Sequence, residues 1–265
     1  MSAEQRQGIA LTRAVSPEIA RCELTYLARE AIDYDRAVAQ HEAYCRALES
    51  GGRRVLRLPS PAGCPDGCFV EDAAVVVDEV AILTMMGAPS RRGESPGIDE
   101  ALRPYRRVLR MELPATMDGG DVLRVGRSFF VGLSARSNEA GVAFLQQALA
   151  PFGYDVRGVA LTGCLHLKSA ATSLGGRRAL VNSLWINRRD LPGVDCLEIP
   201  KEEPWGANVL AVDGRVLVHQ GFAATIRRLE AEGLRVEPLD VSEFLKAEAG
   251  LTCKSVLFDE RPIEA

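Results

Sequence analysis

Short β-branched runs recur along the chain in pairs, each pair parted by a tight polar or glycine break, and this pattern predicts hairpins. Four can be placed. The first spans 73–84 and breaks at Asp78 and Glu79, the second spans 122–133 around Gly126 and Arg127, the third spans 169–184 around Gly175 and Gly176, and the fourth spans 209–219 around Asp213 and Gly214. Their centres lie roughly 35 to 50 residues apart, the spacing of repeated supersecondary units. After the second hairpin, Val142, Leu145, Ala148 and Leu149 share one helical face behind a cap at Ser137 or Asn138, and 156–161 then reads as a strand. After the fourth, Phe222, Ile226 and Leu229 give another amphipathic stretch, stopped by Gly233 and followed by a strand over 234–241. The repeated order is strand, strand, helix, strand. The first unit follows it less clearly, with a weak helix before a strand over 106–113, and in the third 187–193 reads as loop.

A fifth unit is assembled if a strand over 255–259 pairs near 8–15, with a helix over 34–48 and a strand over 54–58 completing it. That pairing closes a ring through the N- and C-terminal strands and makes 1–265 a single domain of about 53 residues per unit. The expected fold class is therefore α/β, a five-bladed α/β propeller of repeated ββαβ units with its site at the central axis. A doubly wound parallel sheet is the alternative, since three-stranded blades and alternating crossovers share much of their periodicity.

Composition narrows the partners. Hydrophobic residues make up 47% and charged residues 26%, a globular balance that excludes whole-chain disorder. A net charge of -4, from 32 basic and 36 acidic residues, offers no general attraction for nucleic acid or for anionic membrane surfaces. Apolar runs such as 73–77 and 129–133 stop far short of the roughly twenty residues of a membrane span. The first twenty residues are polar and interrupted by Arg6, Arg13 and Pro17, so no secretory signal is read there. Seven cysteines, an odd number, then fit free thiols in a reducing, cytoplasmic compartment.

The familiar phosphate-binding glycine loops and the serine-hydrolase elbow are absent. Cys64 and Cys68 have a zinc-like spacing, but Cys164 and His166 are too tightly spaced to supply the other half of a structural site, so no metal and no cofactor is expected. Asp66, Glu71 and Asp72 crowd the segment before the first hairpin. Glu71 and Asp72 interrupt an apolar run, and carboxylates so placed need cationic partners or donors. A planar guanidinium would be one. Asp118 and Asp121 flank a Gly-Gly bend at the mouth of the second hairpin, where backbone or ligand can approach closely. His166 lies between loop and strand, whereas His41 shares an apolar helical face with Tyr44 and Leu48 and reads as a core histidine; His219, at a strand end, is ambiguous. Cys253 sits between Gly250 and the last strand beside Lys254, the positive neighbour that a reactive thiol needs. Cys22, Cys45 and Cys196 read as inert core thiols.

Six segments occur in order: Asp66 with Phe69-Val70-Glu71-Asp72, then Gly87-Ala88-Pro89-Ser90-Arg91-Arg92, Asp118-Gly119-Gly120-Asp121-Val122, Gly132-Leu133-Ser134-Ala135-Arg136-Ser137-Asn138, Leu165-His166-Leu167-Lys168-Ser169 and Leu251-Thr252-Cys253. Together they closely resemble the dimethylarginine dimethylaminohydrolases of the pentein, or guanidine-modifying, superfamily. The resemblance runs from about Tyr34 to Asp259. It implies a five-bladed propeller and a metal-independent hydrolysis of N-omega-methylated arginine to citrulline and a methylamine, with a small cationic guanidine as partner and a monomer or homodimer as the assembly.

Carried over by motif, the resemblance makes Cys253 the nucleophile, His166 the general acid and base, and Asp118 the acid that orients the imidazolium. It places Glu71 and Asp72 at the substrate acids, with Asp66 near the amino-acid end or the guanidinium. Arg91 and Arg136 fall at the arginines for the substrate carboxylate, and backbone carbonyls near Leu24 and Ala247 would take the α-ammonium. Arginine deiminases resemble this family but typically carry a carboxylate where Lys168 stands, so a methylated leaving nitrogen is favoured. Met85-Met86 and Trp205-Gly206-Ala207-Asn208 depart from the pattern and leave another guanidine substrate open. A non-catalytic cationic amino-acid sensor and an amidinotransferase are the remaining alternatives.

Overall fold

The computed structural model describes residues 7–260; positions 1–6, which include Arg6, and 261–265 lie outside that range. Five three-stranded sheets form the blades of an α/β propeller. The first holds β1 (Gly8–Arg13) and, after α1 (Tyr34–Ser50), its parallel neighbour β2 (Arg54–Leu58). The second consists of β3 (Ala74–Val76), β4 (Val80–Leu83), α2 (Ile98–Leu102) and β5 (Arg107–Arg110). The third consists of β6 (Val122–Val125), β7 (Ser128–Leu133), α3 (Glu139–Leu149) and β8 (Asp155–Ala160). In the fourth, the single turn α4 (Leu167–Ala170) precedes β9 (Ala171–Gly175), β10 (Arg178–Val181) and β11 (Asp195–Glu198). The fifth holds β12 (Leu210–Val212), β13 (Arg215–His219), α5 (Ala223–Ala231) and β14 (Val236–Leu239). After α6 (Ser242–Leu245), β15 (Val256–Asp259) returns to pair antiparallel with β1.

Every blade has the same plan, with a first strand antiparallel to the middle one and a third strand parallel to it. In the first blade β15 takes the opening position, so the ring is joined across the chain ends. The doubly wound alternative is thereby excluded.

Local chemistry explains the repeats. Consecutive left-handed residues, Gly175 (φ 91°) with Gly176 (φ 58°) and Asp213 (φ 50°) with Gly214 (φ 75°), twist two hairpin turns the way the strands require. Asn138 caps α3, its side chain accepting the Gly141 N–H at 2.8 Å. Between β10 and β11 only a three-residue 3-10 turn, Arg188–Asp190, forms, in keeping with the loop read there.

The apolar core is divided among the blades. Tyr44 and Leu48 of α1 pack with Phe244 and Leu251, while Leu145 and Leu149 of α3 pack on Phe129, Val131 and Val156. Strands β4 and β13 are buried along their whole length, as middle strands covered on both faces must be. No helix among the described residues is long and apolar enough to cross a membrane.

Candidate active site

Four blades lead into their first strand through one tight helical turn. These are the 3-10 turns Val70–Ala73, Gly119–Asp121 and Thr252–Lys254, before β3, β6 and β15, and α4 before β9. They carry Glu71 and Asp72, Asp121 with Asp118 just ahead, Cys253, and Leu167 with His166 just ahead. The turns meet so closely that two positions admit no side chain. A Cβ on Gly119 would stand 2.0 Å from the Glu71 carbonyl oxygen, and one on Gly120 would stand 2.7 Å from both Asp72 Oδ1 and His166 Nδ1. The fifth blade contributes Asn208, whose Oδ1 accepts the Leu251 N–H at 2.7 Å while its Nδ2 donates to the Lys168 carbonyl at 3.0 Å.

His166 is buried between carboxylates. Its Nε2 lies 3.1 Å from Asp118 Oδ2 and its Nδ1 lies 3.9 Å from Asp72 Oδ1. Burial alone would lower its pKa, but Asp72, Asp118 and Asp121 outweigh it and push the imidazole up to about 9. It therefore rests as an imidazolium at neutral pH. Asp118 Oδ1 accepts the Gly87 N–H at 2.9 Å, which fixes the carboxylate on its other side. Asp121 fastens the histidine's own turn, accepting the Leu167 N–H at 2.9 Å and the Ser134 and Ser137 hydroxyls at 2.6 and 2.7 Å. Burial nevertheless pushes the Asp121 carboxyl up to about 6.

Cys253 faces the same cavity, its Sγ accepting the Gly250 N–H at 3.5 Å. Burial, reinforced by Glu71 and Asp72, pushes the thiol up to about 12. Burial and the two neighbouring carboxylates thus hold the thiol in its protonated form. Glu71 and Asp72, adjacent in sequence, part company here. Asp72 lines the cavity, whereas Glu71 lies behind it, bonded to Lys168 Nζ at 2.6 Å and to the Thr252 hydroxyl at 2.7 Å, and lines a second cavity inside the ring.

The two arginines differ in the same way. Arg91 is engaged on all sides, with Asp72 at 2.8 Å and both Glu94 oxygens at 3.0 Å, and its charge together with His166 holds the Asp72 carboxyl low against burial. Arg136 lines the cavity 3.7 Å from Asp118, and its buried Nη1 lacks a hydrogen-bond partner among the described residues. Asp66 accepts the Glu23 N–H at 3.1 and 3.2 Å, and burial pushes it up to about 6. Glu23 and Ala247 line the cavity; Leu24 packs against the apolar cluster of α1.

The irregular stretch between Arg21 and Tyr34 forms a strap at the edge of this cavity, with Glu23 in its wall and the Thr25 hydroxyl 3.5 Å from Arg136 Nη2. Glu248 accepts the N–H groups of Thr25, Tyr26 and Leu27, and Glu243 accepts that of Asp33. Beneath the strap only about 20 Å³ of free space remains, room for about one water.

Asp72, Asp118 and His166 bring three potential ligand atoms within 4.8 Å of one another. Their charge is already balanced, because Arg91 pairs with Asp72 and Arg136 approaches Asp118, so a divalent ion would have to compete with two buried guanidinium groups.

Three comparisons bear on this arrangement. No protein-family model matches the chain. A curated N(G),N(G)-dimethylarginine dimethylaminohydrolase from Streptomyces coelicolor is 39% identical over 254 residues, covering 95% of this chain and 97% of that protein. A namesake from Pseudomonas aeruginosa is 35% identical, covering 85% of this chain and 90% of its own length. The chain belongs to the dimethylarginine dimethylaminohydrolase family. The structure of the Pseudomonas aeruginosa enzyme, a cysteine-to-serine mutant complexed with citrulline, superposes with a TM-score of 0.90 at 32% identity, over 96% of this chain and 99% of that one.

Against the family pattern, the departures noted in the sequence fall outside the cavity wall. Met86 is buried among Val70, Leu83 and Ile98, Met85 packs beside Met111, and Trp205 packs on Trp185 with ring centroids 4.7 Å apart and planes tilted by 58°. His41 is buried and held neutral, its pKa lowered by burial to about 3, and His219 accepts the Val241 N–H, so both are structural. Sequence reasoning missed Glu94, Glu243, Glu248 and the bridging role of Asn208. Each acts through a backbone group or another side chain, and only Glu94, three residues after Arg91 on one turn, left a signal in the spacing.

Proposed function

We propose that this enzyme hydrolyses N-omega-methylated arginine to citrulline and a methylamine through a covalent intermediate on Cys253. The observation that carries this reading is that Cys253, His166, Asp72 and Arg136 line one small cavity, with His166 bonded to Asp118 behind it.

The guanidinium docks against Asp72 with its plane fixed by the carboxylate, and the substrate carboxylate takes the open Nη1 of Arg136. Asp66 and the carbonyls near Leu24 and Ala247 receive the α-ammonium, and Arg91 serves mainly by fixing Asp72. A cation beside Asp72 offsets the field that keeps the thiol protonated, so substrate binding itself promotes the thiolate, the thiol's proton passing to solvent. Sulfur attacks the guanidinium carbon. His166, an imidazolium at rest, gives its proton to the departing amine as the C–N bond breaks, leaving a thiouronium on Cys253. The neutral imidazole then takes a proton from water, hydroxide adds to the same carbon, and the C–S bond breaks as the adduct's hydroxyl proton passes to solvent, releasing citrulline and the thiolate. Asp118 stabilises each imidazolium, and the strap excludes bulk water.

Lys168 supports the choice of substrate. Its ammonium is spent on Glu71 and on the Gly119 carbonyl at 3.2 Å, so this position supplies no carboxylate to bind extra N–H groups on the leaving nitrogen. Cys253→Ser should abolish citrulline formation from dimethylarginine, and undiminished turnover by that variant would refute the mechanism. Side-by-side rates should rank dimethylarginine and monomethylarginine above arginine; faster turnover of arginine overturns the substrate choice.

A further inference from the structure

Lys254 follows Cys253 in the same turn, yet its side chain leaves the cavity and is completely buried. Its Nζ lies 4.5 Å from the Tyr44 ring centroid and 4.7 Å from that of Phe244, within cation–π distance of both faces. It has no hydrogen-bond partner among the described residues. An ammonium without a carboxylate or acceptor is an expensive group to bury, and a hydrophobic side chain of equal size would suit this cluster better.

The groups facing it identify what the charge is for. From α1 come His41, Tyr44 and Cys45, from the loop before β3 comes Cys68, from the end of β13 comes His219, and from its own turn Cys253. Both histidines are held neutral by burial. Burial likewise raises the phenol of Tyr44 and the thiols of Cys45 and Cys68, and none of the three lines the catalytic cavity. Only Cys253 meets the substrate and takes on negative charge during turnover. Burial in turn lowers the Lys254 ammonium to about 7, and the neighbouring thiols, Cys253 first, oppose that fall.

We propose that Lys254 is a positioning residue for the hydrolysis, an ammonium caged by Tyr44 and Phe244 that supports the adjacent Cys253 thiolate. The inference rests on the reading of Cys253 as the nucleophile. It also assigns a division of labour: the substrate cation acts from the cavity, and Lys254 acts from the core.

The test is the pH dependence of Cys253 alkylation by iodoacetamide in the substrate-free enzyme, quantified on the peptide that contains Cys253. Lys254→Met fills the stem's volume without the charge. Its alkylation at neutral pH should be roughly tenfold slower, with the profile displaced to higher pH and the melting temperature equal or higher. A purely structural lysine would instead lower the melting temperature and leave the profile in place, and coincident profiles overturn the proposal. Lys254→Gln, neutral but polar, repeats the measurement should methionine fail to fold. If Cys253→Ser keeps its turnover, the nucleophile reading fails first; if that variant is inactive while the profiles coincide, only the role of Lys254 fails.

Discussion

The floor of the cavity and the strap above it are held by the same kind of bond, a buried carboxylate accepting backbone N–H groups, and yet they are built to behave differently. In the floor, Asp121 binds the Leu167 N–H and Asp72 binds that of Gly120, and both partners belong to turns that run directly into sheet strands. In the strap, Glu248, Asp66 and Glu243 bind a stretch that has no helix or strand between Arg21 and Tyr34 and that leaves Tyr26 exposed. Floor bonds break only when blades come apart. Strap bonds can break together and locally, because most side chains of the stretch are exposed and only Cys22, Leu24 and Ile32 pack on the core. With about 20 Å³ free beneath it, the strap has to open for a substrate to enter, so the contrast is a functional requirement.

The floor can be broken most severely at Asp118. Asp118→Asn keeps the shape but removes the charge that orients and stabilises the imidazolium, and kcat should fall by about two to four orders of magnitude. The pH profile gives the sign. Because His166 is raised to about 9, the acid needed for amine departure is present at neutral pH and is lost as the pH rises through that value. Removing one of the carboxylates responsible lowers the imidazole's pKa, so the alkaline limb of kcat against pH should move to lower pH. An alkaline limb left in place would show that Asp118 serves geometry alone.

The strap should yield to Glu248→Gln. One carboxylate there serves three backbone donors, from a residue at φ 54°, and an amide offers a single oxygen and turns an N–H toward the same donors. A loss of about 1–3 kcal/mol is expected for this cluster, enough to speed hydrogen exchange of Thr25, Tyr26 and Leu27 about tenfold or more and to raise KM more than it lowers kcat. Unchanged exchange in the strap would mean that its hold lies elsewhere, for instance in the Asp66 bond to Glu23.

How much of this was legible in the sequence follows the same division. The blades could be read because each repeats a local rule, as at Asp213 and Gly214, where the turn chemistry alone marks the hairpin. Cys253, His166, Asp72 and Asp118 could be found because their motifs occur in order, and the fold brings them together because each precedes the first strand of its blade. What the sequence concealed are contacts between distant segments. Nothing around Glu248 indicates a partner some 220 residues away, and nothing around Arg91 reveals that Glu94 and Asp72 saturate it while Nη1 of Arg136 has no hydrogen-bond partner among the described residues. Nor does a motif reveal burial, which separates Glu71, behind the wall and bonded to Lys168, from its neighbour Asp72 in the cavity.

The smallest effect sharpens the comparison most. Gly126 sits at the tip of the β6–β7 hairpin with φ 62° and open space where a Cβ would stand, so Gly126→Ala introduces backbone strain and no clash. About 1 kcal/mol of global stability should be lost, read as a lower melting temperature, with kcat and KM unchanged. The informative readout is hydrogen exchange. Amides of β7 and β13, which open only with the whole ring, should exchange faster in proportion to the lost stability, while those of Thr25 to Leu27 should not respond, because a local opening is indifferent to global stability. If the strap amides accelerate together with the strand amides, strap and floor open as one unit, and substrate entry then depends on the stability of the whole propeller.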